Sequence, residues 1–406
     1  MRNKYTGNIR ATASALALAL ALTAAPAWAE DTIKIGALLI DSGPLAGLKD
    51  SQTKAINLSI ELVNAAGGAA GGAAGKKLEA DFISYPGSPD TAVDGATRAV
   101  QKDGALFLTG MDTSAVSPAL SAKLGSLNAL MVEVFAQADS MTGKNCTADY
   151  FRVNVNDSML MNAAGQFLKD KNVKTWDIIA VDYASGRDAA AKFKALIASQ
   201  GGTIGKVLFT PSGTADFGAK ISELGADPSE GLYVTIFGAD AINLAKQQAQ
   251  FGLFKKYKMV LGNSFVIPQT LPAQGEAVLG VYQTLGFVAG FPGAQAEAFV
   301  KAYREKYNGE TPAYTAADQY AAIQLMAAAI NKANSTDVSA VRTALSGIKA
   351  DTVLGNVEVR AADHQTLRPI LMNQIVNDAN GKPSYDIKQA FPGADIAPAV
   401  DPACKM

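Results

Sequence analysis

The stretch Asp31-Thr-Ile-Lys-Ile-Gly-Ala-Leu-Leu-Ile-Asp-Ser-Gly-Pro-Leu-Ala-Gly-Leu48, with Lys54-Ala-Ile-Asn-Leu-Ser-Ile-Glu-Leu-Val-Asn-Ala-Ala-Gly-Gly68 after it, decides how the rest of the chain is read. The run Ile33 to Ile40 is short, apolar and β-branched, the pattern of a buried strand. Ser42-Gly43-Pro44 breaks it. From Ala55 the apolar residues Ile56, Ile60 and Val63 recur at helical spacing, and Gly67-Gly68 closes the helix. The unit is strand, turn and helix, and in open α/β sheets ligands sit outside the carboxyl end of such strands.

The chain has 406 residues, enough for two α/β lobes of ordinary size. Charged residues make up 18% and hydrophobic ones 49%, which excludes disorder as the main state. A formal net charge of −1 offers nothing to nucleic acid or an anionic membrane. Residues 1–29 read as a cleavable leader: Arg2, Lys4 and Arg10, then an Ala/Leu core from Ala13 to Ala25, then Ala27-Trp28-Ala29 as the cleavage pattern. Cleavage after Ala29 makes Glu30 the first mature residue. No later apolar run approaches the ~20 residues of a membrane span, so the mature chain is expected to be soluble, exported and not membrane-inserted. Cys146 and Cys404 are the two cysteines. In an oxidising compartment they pair or remain two free thiols; pairing, which would tie down the C-terminal tail, is the expectation. One histidine and no cysteine cluster argue against a metal, and no cofactor is expected.

The opening stretch resembles the start of type I periplasmic solute-binding proteins of the branched-chain amino acid (Leu/Ile/Val-binding) group, which feed ATP-driven (ABC) importers. Those chains open with an "IKIG…SGP" strand-turn and a helix ending "N-A-A-G-G". The resemblance continues in order: Tyr150-Phe-Arg-Val-Asn is similar to a "Y-x-F-R" crossover, Asp182-Tyr-Ala-Ser-Gly-Arg to "D-Y-A-Y-G-R", and Gly355-Asn-Val-Glu-Val-Arg to "G-x-V-x-F". It implies an α/β fold of two doubly wound lobes joined by three crossover segments, with the ligand in the interlobe cleft. The implied division is 30–151 with 287–355 for lobe one, 152–286 with 356–390 for lobe two, and 391–406 as a tail. The implied partners are a small-molecule solute and a membrane permease, the chain itself acting as a monomer in the periplasm. Ala69-Ala-Gly-Gly-Ala-Ala-Gly75 reads as a surface loop, since it lacks the Gly-Lys-Ser/Thr ending of a phosphate loop.

Site residues follow from the strand ends. After the strand Ala105–Thr109, Thr113 or Ser114 either caps the next helix or, as the resemblance implies, binds the solute's carboxylate at that helix start. Val134, Phe135 and Ala136 stand where relatives supply backbone contacts, Phe135 being either core or pocket. Ser185 replaces a Tyr that covers the ligand in relatives; Tyr183 either substitutes for it in part or packs in its turn. Phe237, Gly238 and Ala239 end a strand in the second lobe. Asn263 and Ser264 stand where amino acid-binding relatives carry an acid for the ligand ammonium, an argument against a standard Leu/Ile/Val pocket. Asp318, acidic in an apolar helix, either meets the ligand or caps a neighbour. His364 reads as structural. Branched-chain or related amino acids are the default solute, and an aromatic or other organic acid is the rival. An exported enzyme finds no support, with no triad arrangement and no G-x-S-x-G elbow. A receptor ectodomain is the remaining alternative.

Overall fold

The computed structural model describes residues 32–69, 75–110 and 112–406. The leader read at residues 1–29, and most of the Gly/Ala loop, lie outside the described residues.

The first sheet is wholly parallel. Its strands are β1 (Ile33–Ile40), β2 (Leu78–Tyr85), β3 (Phe107–Gly110), β4 (Leu130–Glu133) and β5 (Tyr150–Arg152), in the order β2-β1-β3-β4-β5. Between them run α1 (Lys49–Ala65), α2 (Pro89–Gln101) and α3 (Ser117–Leu127). Side chains of β1 alternate between two cores: Ile33, Ile35, Ala37 and Leu39 point to one, Leu38 and Ile40 to the other. That is why the run carries no polar face: a parallel strand covered on both sides is apolar throughout. α1 begins at Lys49, a turn and a half ahead of the Ala55 expected from periodicity, after a 3-10 turn at Gly43–Leu48.

The second sheet holds β6 (Thr175–Val181), β7 (Thr203–Thr210), β8 (Gly231–Thr235), β9 (Met259–Gly262) and β10 (Tyr282–Leu285), all parallel. Helices α4 (Asp157–Leu168), α5 (Ala184–Ser199), α6 (Gly218–Ala226), α7 (Gly238–Phe251) and the short α8 (Leu271–Gln274) belong to this half. Beyond β10 come α9 (Ala294–Lys306), α10 (Tyr314–Ala333) and α11 (Val338–Leu345), which pack in one core with β1 and α1. A small antiparallel sheet follows, β11 (Lys349–Thr352), β12 (Gly355–Val359) and β13 (Thr366–Leu367). The chain then returns to the second sheet as β14 (Ile370–Asn377) and β15 (Pro383–Phe391), both antiparallel, giving the order β15-β14-β10-β9-β8-β6-β7. A turn of helix, α12 (Gly393–Ile396), ends the regular structure. The sequence reading stopped at β14; β15, half-exposed on an outer edge, lacks the apolar run that would mark it.

Among the described residues the chain passes between the two halves after β5, after β10 and before β14. These passages are tied together. Arg152 is fully buried; its Nε donates to Gln365 Oε1 (2.7 Å), its Nη1 to Ala138 O (2.6 Å) and its Nη2 to Thr142 Oγ1 (2.6 Å). Gln365 Nε2 donates in turn to Asn154 O (2.9 Å). Arg368 Nη2 donates to Gly286 O (2.6 Å), and its Nη1 pairs with Asp318 Oδ1. Two buried guanidiniums thus satisfy the carbonyls that bare crossing segments expose.

Cys146, in the loop between β4 and β5, is joined to Cys404 in a disulfide with Cα atoms 5.4 Å apart. The tail that carries Cys404 starts from the other half. Asn162 Nδ2 and Gln166 Nε2 of α4 donate to Ile396 O (2.9 Å) and Asp395 O (2.8 Å). Arg360 Nη1 then holds Pro398 O (2.8 Å) before the tail reaches Cys146. Denatured, unreduced chain is expected to show no reactive thiol in a colorimetric titration; two thiols per chain would contradict this geometry.

Candidate functional site

Each parallel sheet has one point where strand order reverses. In the first, β1 lies between β2 and β3; in the second, β6 lies between β7 and β8. Ligands of open α/β sheets bind outside the carboxyl ends at such points. Two glycines fit that role: a Cβ at Gly110 (φ +136°) would lie 2.0 Å from Leu38 O, and one at Gly186 would lie 2.1 Å from Val181 O. The turn after β3 and the first turn of α5 are therefore drawn down onto the neighbouring strand ends.

A cleft with about 550 Å³ of empty space, part of it open solvent, lies at these ends. Gln137, from the segment after β4, contributes to it from the first half. Ser185, Phe237, Asn263 and Ser264 line it from the second half, together with Asp157 and Met161 of α4, Lys192 of α5, Tyr233 of β8 and Thr284 of β10. Gln137, Asp157, Lys192, Tyr233 and Thr284 escaped the sequence reading. The strand-end rule points to residues just past a strand, whereas Tyr233 lies inside one and Lys192 sits two turns into a helix.

The charge in the cavity wall is arranged around Lys192. Its Nζ lies 2.8 Å from Asp139 Oδ2 and 3.6 Å from Asp157 Oδ2. Asp139 belongs to the first half, and its carboxylate also accepts from Ser158 N (3.0 Å) and Ser158 Oγ (2.6 Å) on α4. Burial pushes Asp139 up, but Lys192 and Ser158 outweigh it and hold the carboxyl below its ordinary value. Burial raises Asp157 despite Lys192. α4 is positioned by its own cap, Asn156 Oδ1 accepting from Met159 N at 2.7 Å.

Several expected site residues are not among those lining the cavity. Neither Thr113 nor Ser114 caps α3, which starts three residues beyond Ser114. The Thr113 carbonyl accepts from Val116 N, Ser117 N and Ser117 Oγ, and the Ser114 hydroxyl accepts from Ala138 N (3.1 Å). Val134 and Ala136 are buried in two different cores, and Phe135 is half-buried against the second. The Phe135 and Ala136 N–H groups are already taken by Glu133 Oε1, so they are not free for a ligand. Asp318 is 1% exposed and paired with Arg368, which makes it an internal counter-ion rather than a ligand contact. Gly238 opens α7 with φ +58°, and Tyr183 stands exposed at the end of β6, its ring 6.3 Å from that of Phe237.

Behind the strand ends of the first half, Asp112 and Glu133 are both fully buried. Burial raises both carboxyls, and Asp112 raises Glu133 further, so the pair holds a proton where separate carboxyls would not. His364, also buried, stacks on Phe151 with ring centroids 3.8 Å apart and a backbone φ of +57°. Burial pushes its imidazole from 6.5 down to about 4. The unfolded chain therefore binds the extra proton between those values. His364 costs nothing above pH 6.5, and stability falls as pH drops toward 4, by about 3 kcal/mol at the lower limit. The buried acid pair has the opposite sign, losing stability as pH rises. Urea melts of the parent and His364→Asn at pH 7 and pH 4 separate the two: the difference between the proteins should narrow or reverse at pH 4. A constant difference would show that His364 does not titrate in this range.

The whole span from β1 into the loop before β15 matches one family of proteins. The model of the periplasmic binding protein family matches residues 32–382. The chain is a periplasmic binding protein. The group it resembles within that family is that of the Leu/Ile/Val-binding proteins. A Leu/Ile/Val-binding protein homolog 3 from Brucella melitensis is 28% identical over 352 residues, covering 82% of this chain and 88% of the relative. Two solved structures share the fold. One is a solute-binding protein from Rhodopseudomonas palustris in complex with 3,4-dihydroxybenzoic acid (22% identity, 90% of this chain and 98% of that one, TM-score 0.79). The other is a leucine-binding protein from Thermotoga maritima (21% identity, 90% and 100%, TM-score 0.74). A periplasmic binding protein of this group is the exported, substrate-binding component of an ABC transporter, handing small solutes to a permease. Among the described residues no helix is long and apolar enough to cross a membrane.

Proposed function

We propose that this periplasmic binding protein takes a small carboxylate-bearing solute into the cavity between its halves and closes on it by bending at the three crossings. One observation carries the reading: residues following strands of both sheets, Gln137 on one side and Ser185, Phe237, Asn263 and Ser264 on the other, line one cavity. A solute that touches both halves shifts the open–closed equilibrium only through its differential affinity for the closed state. The halves in this reading comprise 30–151 with 287–355, and 152–286 with 356–390. The mature chain starts at Glu30 and acts as a monomer.

Thr113 and Ser114 are proposed to receive the carboxylate. The Ser114 hydroxyl accepts from Ala138 N, which leaves its proton free to donate, and Ala138 adjoins Gln137 in the cavity wall. Branched-chain or related amino acids are the first reading. A specific observation favours the second, an aromatic or other organic acid. Asp157 is the one carboxylate among the described residues lining the cavity, and it already faces Lys192, so an ammonium group has no dedicated partner. The relative in complex with 3,4-dihydroxybenzoic acid lends that reading support.

A thermal-shift screen of leucine, isoleucine, valine, benzoate and hydroxylated benzoates distinguishes the two. Ser114→Ala is expected to weaken the bound solute by about 1–3 kcal/mol in calorimetry, the cost of a hydrogen bond to a charged group. Unchanged affinity would remove Ser114 from the site. Submicromolar leucine binding would rule out the second reading.

A further inference from the structure

We propose, resting on the reading of the cavity as the solute site, that the Tyr233 hydroxyl is a specificity-determining group. It selects solutes that carry an uncharged hydroxyl at the end away from the carboxylate. Tyr233 lies in the middle of β8 and lines the cavity. Its ring is fixed: it stacks on Phe193 with centroids 4.0 Å apart and planes within 4°, and Phe193 meets Trp176 edge-on at 5.2 Å. A ring held from behind leaves its hydroxyl one position. That hydroxyl is buried and makes no hydrogen bond of good geometry within the protein, the nearby Asn263 side chain being its one polar neighbour of note. A buried hydroxyl without a partner carries a free-energy penalty that an occupant with a matching group relieves.

The surroundings say what kind of group. β8, β9 and β10 are consecutive in the sheet, with Tyr233 beside Leu261 and Leu261 beside Tyr282. Asn263, just past β9, and Thr284, in β10, therefore complete a neutral polar patch in the same cavity wall. Burial keeps the Tyr233 phenol protonated, so it presents one donor and a lone pair. Asp157 and Lys192 are already paired with each other, so a charged solute tail of either sign finds no free counter-charge there. A neutral hydroxyl both gives and takes a hydrogen bond and meets neither conflict. Sites built around such a bond discriminate strongly against the analogue lacking it.

The test uses the full mature chain, calorimetry, and three ligand pairs that differ by one hydroxyl: 4-hydroxybenzoate and benzoate, tyrosine and phenylalanine, threonine and valine. At least one pair is expected to bind, its hydroxylated member at least tenfold more tightly, with the ratio falling within twofold in Tyr233→Phe. A ratio near one in the parent overturns the proposal, and so does a preference that survives Tyr233→Phe. The parent ratio stands as a test even if the variant fails to fold. Ser185→Trp, which fills the cavity mouth, separates the two levels. Binding that it abolishes, combined with a parent ratio near one, leaves the cavity reading standing and ends the role of Tyr233. Binding of no member of any pair ends both.

Discussion

Asp318→Ala is expected to destabilise the protein by about 3–5 kcal/mol, among the largest effects available to a single substitution. Asp318 sits in the second turn of the buried helix α10 and is 1% exposed; its partner Arg368 is fully buried at the passage into β14. Removing the carboxylate leaves a guanidinium in a dry interior with only Gly286 O as an acceptor. Burial raises the Asp318 carboxyl against the pull of Arg368, so the pair carries a desolvation cost. The double change Asp318→Ala/Arg368→Met removes both charges and should recover most of the loss, because two neutral side chains owe no solvation. Urea midpoints for the four proteins of this cycle decide it. A single-variant loss below about 1 kcal/mol would mean that water reaches Arg368.

The second large effect is loss of the disulfide. Cys146 and Cys404 are 258 residues apart in sequence, and a loop of that length removes much entropy from the unfolded chain. The double variant Cys146→Ser/Cys404→Ser should be about 3–5 kcal/mol less stable, the upper part of the range for such bonds. A thermal scan with and without reductant provides the check. The parent in reductant should melt with the variant, and the variant should be indifferent to reductant. Equal melting of all four samples would show that the tail is held by its hydrogen bonds to α4 and Arg360 without help from the disulfide.

The parallel core was legible because a strand buried on both faces has a distinctive spelling. Ile35–Ile40 and Ile178–Val181 are uninterrupted apolar runs, and each is followed by a turn and a helix. β15 was not legible: half-exposed, with Asp386 and Lys388 in it, it owes its strand geometry to β14 rather than to its own composition. The site was legible where a rule concerned backbone position. Ser185, Phe237, Asn263 and Ser264 all stand just past strands and all reach the cavity. Asp318 stayed open because a lone acid in an apolar helix reads the same whether it faces a ligand or an arginine fifty residues on in the chain. Phe135 and Ala136 were misplaced because their N–H groups are taken by Glu133, and no local pattern announces that a glutamate two or three residues back has turned onto its own backbone. Tyr233 and Lys192 could be found only once the sheet and α5 were folded against α4.

The bond between Cys146 and Cys404 encloses all of β5 to β15 in one covalent loop. A protease that cuts anywhere inside that loop opens a ring without releasing a fragment. The turn at Pro211–Asp216, largely exposed between β7 and α6, is the natural place for such a cut. Chain nicked there would run as one band on a non-reducing gel and as two after reduction. Because the tail remains fastened to both halves, the nicked protein would keep its shape and its solute, so an apparently intact preparation could carry broken backbones unseen.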